Sequence, residues 1–229
     1  MSYEKVFVAG ASSGVGRLIV DKLLERGMKV VALVRREAAR EELAALEGVT
    51  PVVADAMDIK AVEGAIDGCD AVISTLGGAP EGDESQRVDY AGNRNVIESA
   101  GILGVTRVVL VTSVGCGSSR GAVSDQVYQV LEKPLVAKTK AENMLLKYYT
   151  NSEWTVVRPG GLVSAPPTGK AVVTEDTAIS GVIHRADVAD LVVRCMLSRN
   201  TIQKVLTAVD PTIESSYSVP ASEVAAFEF

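Results

Sequence analysis

The residues with the clearest chemistry lie near the start of the chain, in Val8-Ala9-Gly10-Ala11-Ser12-Ser13-Gly14-Val15-Gly16-Arg17. Three glycines in G-x-x-x-G-x-G spacing join a strand-like run to a helix-like one. Gly10 allows a tight exit from the strand, Gly14 lets the backbone approach a pyrophosphate, and Gly16 lets the helix pack near a sheet. The helix N-terminus, with Ser12, Ser13 and Val15 in its turn, offers N–H groups and a positive dipole end to an anion. That is the chemistry of holding a dinucleotide. A cofactor without a 2′-phosphate usually meets an Asp or Glu at the end of the next strand, but this chain reads Leu33-Val34-Arg35-Arg36 there. Two guanidiniums suit a phosphate dianion, so NADP(H) is expected in preference to NAD(H), with Glu37 as the opposing charge nearby. Asp55 and Ala56 after the third strand, and Thr75, Leu76 and Gly77 after the fourth, stand where the chain passes the cofactor, with Asp55 toward the adenine edge. Turn chemistry accounts for these positions equally well.

Positioning such a loop requires a particular set of elements. Short β-branched runs at Lys5–Ala9, Lys29–Val34, Pro51–Ala54, Ala71–Thr75, Arg107–Thr112 and Thr155–Val157 are mostly continuously apolar, as strands covered on both faces are. Helical patterns separate them at Val15–Gly27, Glu41–Leu46, Ile59–Ile66, Asp89–Leu103 and Pro134–Tyr149. The alternation predicts an α/β fold, a Rossmann-like doubly wound parallel sheet occupying the chain as a single domain. After Pro159 the pattern loosens into Gly160, Gly161, Pro166, Pro167 and Gly169, followed by a helix at Asp187–Leu197 and a strand at Val205–Val209. A small C-terminal subregion, from about residue 160, is expected to pack on the same sheet and cover the cleft. From about Asp210 to Phe229 a surface-lying tail is expected.

Composition narrows the function. Among 229 residues, 29 Asp and Glu against 23 Lys and Arg give a formal charge of −6, which argues against a protein held to nucleic acid by phosphate contacts. Cys69, Cys116, Cys195 and the lone His184 are too few and too scattered for a zinc site or a disulfide framework, so no metal is expected. No apolar run approaches the roughly 18 residues of a membrane span, and the N-terminus lacks a signal-peptide pattern. The expected setting is cytoplasmic, or soluble in an organelle after processing.

The ordered motifs resemble the short-chain dehydrogenase/reductase superfamily, and more closely its atypical branch of small NAD(P)H-binding proteins. That branch includes NmrA-like regulators, B-type biliverdin/flavin reductases and plastid proteins related to Tic62. Besides the glycine loop, the resemblance rests on Asp89-Tyr90-Ala91-Gly92-Asn93-Arg94-Asn95, Val111-Thr112-Ser113, Lys138-Thr139-Lys140-Ala141-Glu142, Val157-Arg158-Pro159-Gly160-Gly161 and Arg185-Ala186-Asp187-Val188-Ala189. It covers nearly the whole chain up to about Asp210. The loop departs from the atypical G-x-x-G-x-x-G spacing, with Ser13 in the middle glycine's place.

The resemblance implies that Ser113 orients a substrate carbonyl and that Lys138 binds the cofactor ribose. It also implies that Pro159, Gly160 and Gly161 pass their backbone beside the nicotinamide. In catalytic members a Tyr four residues before the Lys handles the proton, on the same helical face; here that position is Pro134. Tyr128 precedes Lys133 by five residues, a separation of roughly 140° on a helix, and Pro134 suits a helix start. Two functions follow. One is an NADPH-dependent reductase of a small-molecule acceptor such as a large conjugated ring, with the proton coming from solvent, Ser113 or the substrate. The other is a silent NADP(H)-binding protein that regulates a protein partner. The small residues Val114–Arg120 suit an open substrate cleft. Cys116 and His184 are expected to be structural, and Asp187 to cap the helix that follows it.

Overall fold

Each apolar run becomes a strand whose side chains alternate between two cores. In β1 (Lys5–Ala9), Val6 and Val8 enter one core while Phe7 and Ala9 enter the other, and all four are fully buried. The computed structural model describes residues 3–78, 87–214 and 224–229. After β1 come α1 (Gly14–Leu24), β2 (Lys29–Val34), α2 (Glu37–Ala44), β3 (Val49–Val53), α3 (Ile59–Ile66) and β4 (Ala71–Ser74). They are followed by α4 (Asn93–Ile102), β5 (Arg107–Val111), α5 (Asp125–Tyr148), β6 (Glu153–Pro159), β7 (Gly161–Val163), β8 (Val172–Thr174), β9 (Val182–His184), α6 (Arg185–Leu197) and β10 (Lys204–Val209).

Eight strands form one sheet in the order β3-β2-β1-β4-β5-β6-β10-β8, with every pair parallel except β8 with β10. Helices α1, α2 and α6 bury their apolar stripes on one face, and α3, α4 and α5 on the other. This is the expected Rossmann-like arrangement. Strand order reverses between β1 and β4, where crossovers leave on opposite faces, and such a reversal opens a crevice beyond the carboxyl ends of the strands. Among the described residues no helix is long and apolar enough to cross a membrane.

The second helix runs from Glu37 to Ala44 rather than over Glu41–Leu46, and four further details differ from the sequence reading. First, α5 begins at Asp125 rather than Pro134, because the Ser124 hydroxyl caps it by accepting the Val127 N–H at 3.3 Å. Pro134 is therefore inside the helix and removes the bond to the Val130 carbonyl, at a residue that is 72% exposed and open to water. Second, Asp89 lies not in an α-helix but in a π-helical turn, Val88–Gly92, that precedes α4. Third, the segment after Pro159 contains three short strands: β8 joins the main sheet while β7 pairs with β9. Fourth, the tail does not simply lie on the surface. Asp210 is buried, Phe227 donates its N–H to Val173 at 2.7 Å, and the Arg194 guanidinium lies 4.0 Å from the Phe229 ring centre; residues 215–223 fall outside the described residues.

Arg107 is fully buried at the start of β5. Its guanidinium donates to the carbonyls of Cys195 at 2.5 Å and Met196 at 2.9 Å, near the carboxyl end of α6, and to Thr155 and Thr201. It holds α6 to the sheet by bonding carbonyls near the end of that helix, of which that of Cys195 also accepts the Thr201 hydroxyl at 2.6 Å.

Candidate functional site

At the carboxyl ends of β1, β2, β4 and β5 lies a cleft of ≈ 460 Å³. Its floor is the glycine loop. Gly14 has φ +56 and a Cβ there would meet nothing within 4 Å, so its backbone faces open space. Gly16 is constrained the other way: a Cβ would stand 2.2 Å from the Gly10 carbonyl oxygen and 2.6 Å from Thr75 Oγ1. Thr75 fixes this contact by donating both its N–H and its hydroxyl to the Ala9 carbonyl, each at 3.0 Å. Ser13 occupies the N-cap of α1 with no side-chain cap bond, and the first turn of α1 contains no acid. The chain's own side chains therefore leave the leading N–H groups available to an outside anion, as a pyrophosphate requires.

Most of the expected cofactor positions come together here. Gly10, Ser12, Ser13, Gly14, Val15, Gly16, Arg35, Ala56, Thr75, Leu76, Gly77, Ser113, Lys138 and Pro159 all line the cleft. Arg36, Asp55, Gly160 and Gly161 do not. Arg36 is the N-cap residue of α2. Asp55 is exposed and accepts the Met57 N–H at 2.9 Å, which is turn chemistry. Gly160 packs so closely on Gly181 that a Cβ would lie 2.3 Å from its carbonyl oxygen. Glu37, the acid beside the arginine pair, is bound by Arg40.

Lys138 donates to the Leu76 carbonyl at 2.9 Å and stands 3.5 Å from Asp89 Oδ1. Asp89 is itself buried against Arg87 at 2.6 Å and accepts the Gly78 N–H at 3.2 Å. The ammonium is thus anchored from the β4 side. Ser113 reaches the cleft with its hydroxyl donated to the Val114 carbonyl at 2.9 Å. Behind it lies a buried network: Thr112 donates to Glu142 Oε1 at 2.6 Å, and Arg158 grips the same carboxylate at 2.9 and 2.7 Å while reaching Ser118 at 2.9 Å.

The substrate side corrects the reading of the 114–120 loop. That segment does not open onto the cleft: Val114, Gly115, Cys116 and Ser119 are buried, and Ser119 ties the Gly115 N–H to the Cys116 carbonyl. The wall is made instead by Leu131, Pro134, Leu135 and Lys138 of α5, together with Leu162 and Arg185. Spacing i, i+3, i+4, i+7 puts the four α5 residues on one face, a stripe hidden when the helix is started at Pro134. No tyrosine lines the cleft among the described residues. Tyr128 lies under the Arg120 guanidinium, 3.8 Å from its ring centre. Three cations and, among the described residues, no carboxylate line this cleft in an acidic chain.

The other tempting groups are structural. Burial, then the nearby Glu142 charge, pushes the Cys116 thiol up to about 12. His184 faces the Pro166 carbonyl at 2.7 Å with Nδ1, which must carry the proton to donate. Asp187 does not cap its own helix, where His184 holds the N-cap position. It accepts the N–H groups of Thr168 and Gly169, both at 2.9 Å, while Thr168 donates its hydroxyl to Asp210. These groups fasten the segment between β7 and β8.

A family model described as NAD(P)H-binding matches residues 10–199. An uncharacterized chloroplastic protein of Arabidopsis thaliana is 36% identical over 217 residues, covering 90% of this chain and 76% of that protein. Sanguinarine reductase of Eschscholzia californica is 28% identical over 236 residues, covering 83% of each chain. Among solved structures, ChuY, an anaerobillin reductase from Escherichia coli O157:H7, matches with a TM-score of 0.83 at 30% identity, covering 93% of this chain and all of that one. A dinucleotide-type loop on this sheet order, matched along most of its length, shows that the chain belongs to the NAD(P)H-binding family within the atypical short-chain dehydrogenase/reductase superfamily.

Proposed function

We propose that this protein is an NADPH-dependent reductase of a flat conjugated acceptor. One observation carries the reading: a single cleft joins the anion-binding loop to an apolar wall of Leu131, Pro134, Leu135 and Leu162 at the place where a proton-donating tyrosine would otherwise stand. Two similar proteins named as reductases, for sanguinarine and for anaerobillin, support it.

The bound cofactor supplies the hydride. The N-terminus of α1 would hold its pyrophosphate and Arg35 its 2′-phosphate, with Arg36 adding charge from the adjoining N-cap position. Two of the three N–H groups of Lys138 face Leu76 and Asp89, leaving one for a ribose hydroxyl. The leucines and Pro134 stack an apolar ring and exclude water around it. An acceptor whose charge spreads over a conjugated ring needs no strong acid beside it, so water at the mouth or the Ser113 hydroxyl suffices for the proton. The same reading places the protein in a reducing aqueous compartment, cytoplasmic or inside an organelle, where Cys69, Cys116 and Cys195 remain free.

The test follows NADPH absorbance with flavins, tetrapyrroles, quinones and activated carbonyls. Turnover of ring acceptors in preference to simple carbonyls is expected. Saturable NADPH binding without turnover across the panel would instead favour a binding protein that acts through a partner. Replacing Arg35 and Arg36 by Ala is expected to weaken NADPH binding by about tenfold to a hundredfold, the loss of charged hydrogen bonds. NADH binding should change by less than about twofold on the same reasoning. Equal affinity for the two cofactors in the parent protein would sink the NADPH preference.

A further inference from the structure

We propose that Arg185 is a docking point for an acidic group on the acceptor, so that the compound reduced here is a flat ring carrying a carboxylate, sulfonate or phosphate. The proposal rests on the reductase reading and narrows its substrate class.

Two of the three cations lining the cleft have other partners or tasks. Lys138 is held by Asp89 and Leu76, and Arg35 stands at the end of β2, beyond the glycine loop. Arg185 is different. It donates Nη1 to the Leu162 carbonyl at 3.3 Å and to Ser164 Oγ at 2.8 Å, and both partners are neutral. Among the described residues no carboxylate pairs with it, whereas Arg87 and Arg158 lie directly on Asp89 and Glu142. The two neutral bonds orient the guanidinium without cancelling its charge, and its remaining N–H groups can take an anion. The helix dipole does not favour a cation there, since Arg185 begins α6 at its positive end, and the acid of the same turn, Asp187, is taken up by the N–H groups of Thr168 and Gly169. The surrounding wall is apolar: Leu162 and Leu131 line the same cleft and are 41% and 38% exposed. A ligand that matches this end presents an apolar face to the leucines and an anionic edge to Arg185.

Matched probes separate the charge from the ring. NADP⁺-saturated protein is titrated calorimetrically with 1,4-naphthoquinone and with its 2-sulfonate. The sulfonate is expected to bind more tightly, and Arg185→Gln to weaken it by about tenfold or more while moving the parent quinone and NADPH by less than about twofold. Arg185→Lys, which keeps the charge, is expected to recover part of the loss. Equal weakening of both quinones would mean that Arg185 only supports the wall, and a parallel loss of NADPH affinity would put it on the cofactor; either outcome overturns the proposal, as does no change in sulfonate binding. Turnover is read separately. NADPH gives a hydride and becomes NADP⁺, and the quinone takes that hydride and a proton from water to become the hydroquinone. Failure of both quinones to turn over, or of any ring acceptor, counts against the reductase reading, while the titration still decides Arg185.

Discussion

Replacing Glu142 by Gln tests the network that holds the Ser113 segment from behind. Both side chains of the Glu142–Arg158 pair are almost fully shielded, at 2% and 3% exposure, and the carboxylate accepts three bonds: from Thr112, and from Nε and Nη2 of Arg158. A Gln amide keeps one acceptor oxygen, but its NH₂ faces an Arg158 donor and no negative charge remains beside a buried guanidinium. Breaking a buried pair in this way costs about 3–5 kcal/mol. For a chain of this length each kcal/mol moves the melting temperature by about 2–4 °C, so a fall of roughly 6–20 °C is expected in a thermal melt followed by circular dichroism. The double change Glu142→Leu with Arg158→Met removes both charges together and is expected to be more stable than either single change, because no buried charge is stranded. A Gln variant within about 1 kcal/mol of the parent, or a double variant as unstable as the sum of the singles, would refute the reasoning.

The thiols should be inert in the folded protein. Burial pushes Cys116 and Cys195 up to about 12 and raises Cys69, so a disulfide reagent at pH 8 should label none of the three until denaturant is added. Asp210 should contribute to acid stability: burial acts to raise its carboxyl, but hydrogen bonds from Thr168 and Thr212 outweigh burial and hold it below its usual value. A group with a depressed folded value stabilises above its unfolded value and loses that contribution as pH falls through the folded one. Asp210→Asn should therefore flatten the acid limb of a stability-against-pH curve below the ordinary carboxylate range, and an unchanged limb would count against this. Lys138→Ala should weaken NADPH binding more than it slows turnover at saturating cofactor; intact binding with a collapsed rate would reassign Lys138 to the chemistry.

Much of this was legible from the order of residues, because the signals are local. Continuous apolar runs mark strands buried on both faces, and the spacing of Gly10, Gly14 and Gly16 marks a loop that only certain contacts require. What escaped depends on distant neighbours. The wall face of α5 shows as a stripe only when its start at Ser124 is recognised, and a mid-helix proline argues against that start locally. Arg185 sits in a recognisable motif, yet its place in the cleft follows from β7 pairing with β9, two three-residue strands too short to leave a pattern. Asp187 has the composition of a helix cap, but the N–H groups it accepts lie 18 and 19 residues earlier. Arg107 reads as an ordinary strand-edge charge because the carbonyls that receive it belong to a helix about 90 residues later.

The sheet's outermost strands bear on how the protein behaves in crowded solution. At one margin β3 carries Pro51, which has no N–H to offer a further strand. At the other, the Phe227 N–H bonds the Val173 carbonyl of β8, and the contacts of Phe227 and Phe229 keep that segment in place. Neither border presents a full ladder of open donors and acceptors, so strand-to-strand aggregation lacks a ready template. Light scattering after removal of residues 224–229 should show increased self-association as the border at β8 is uncovered.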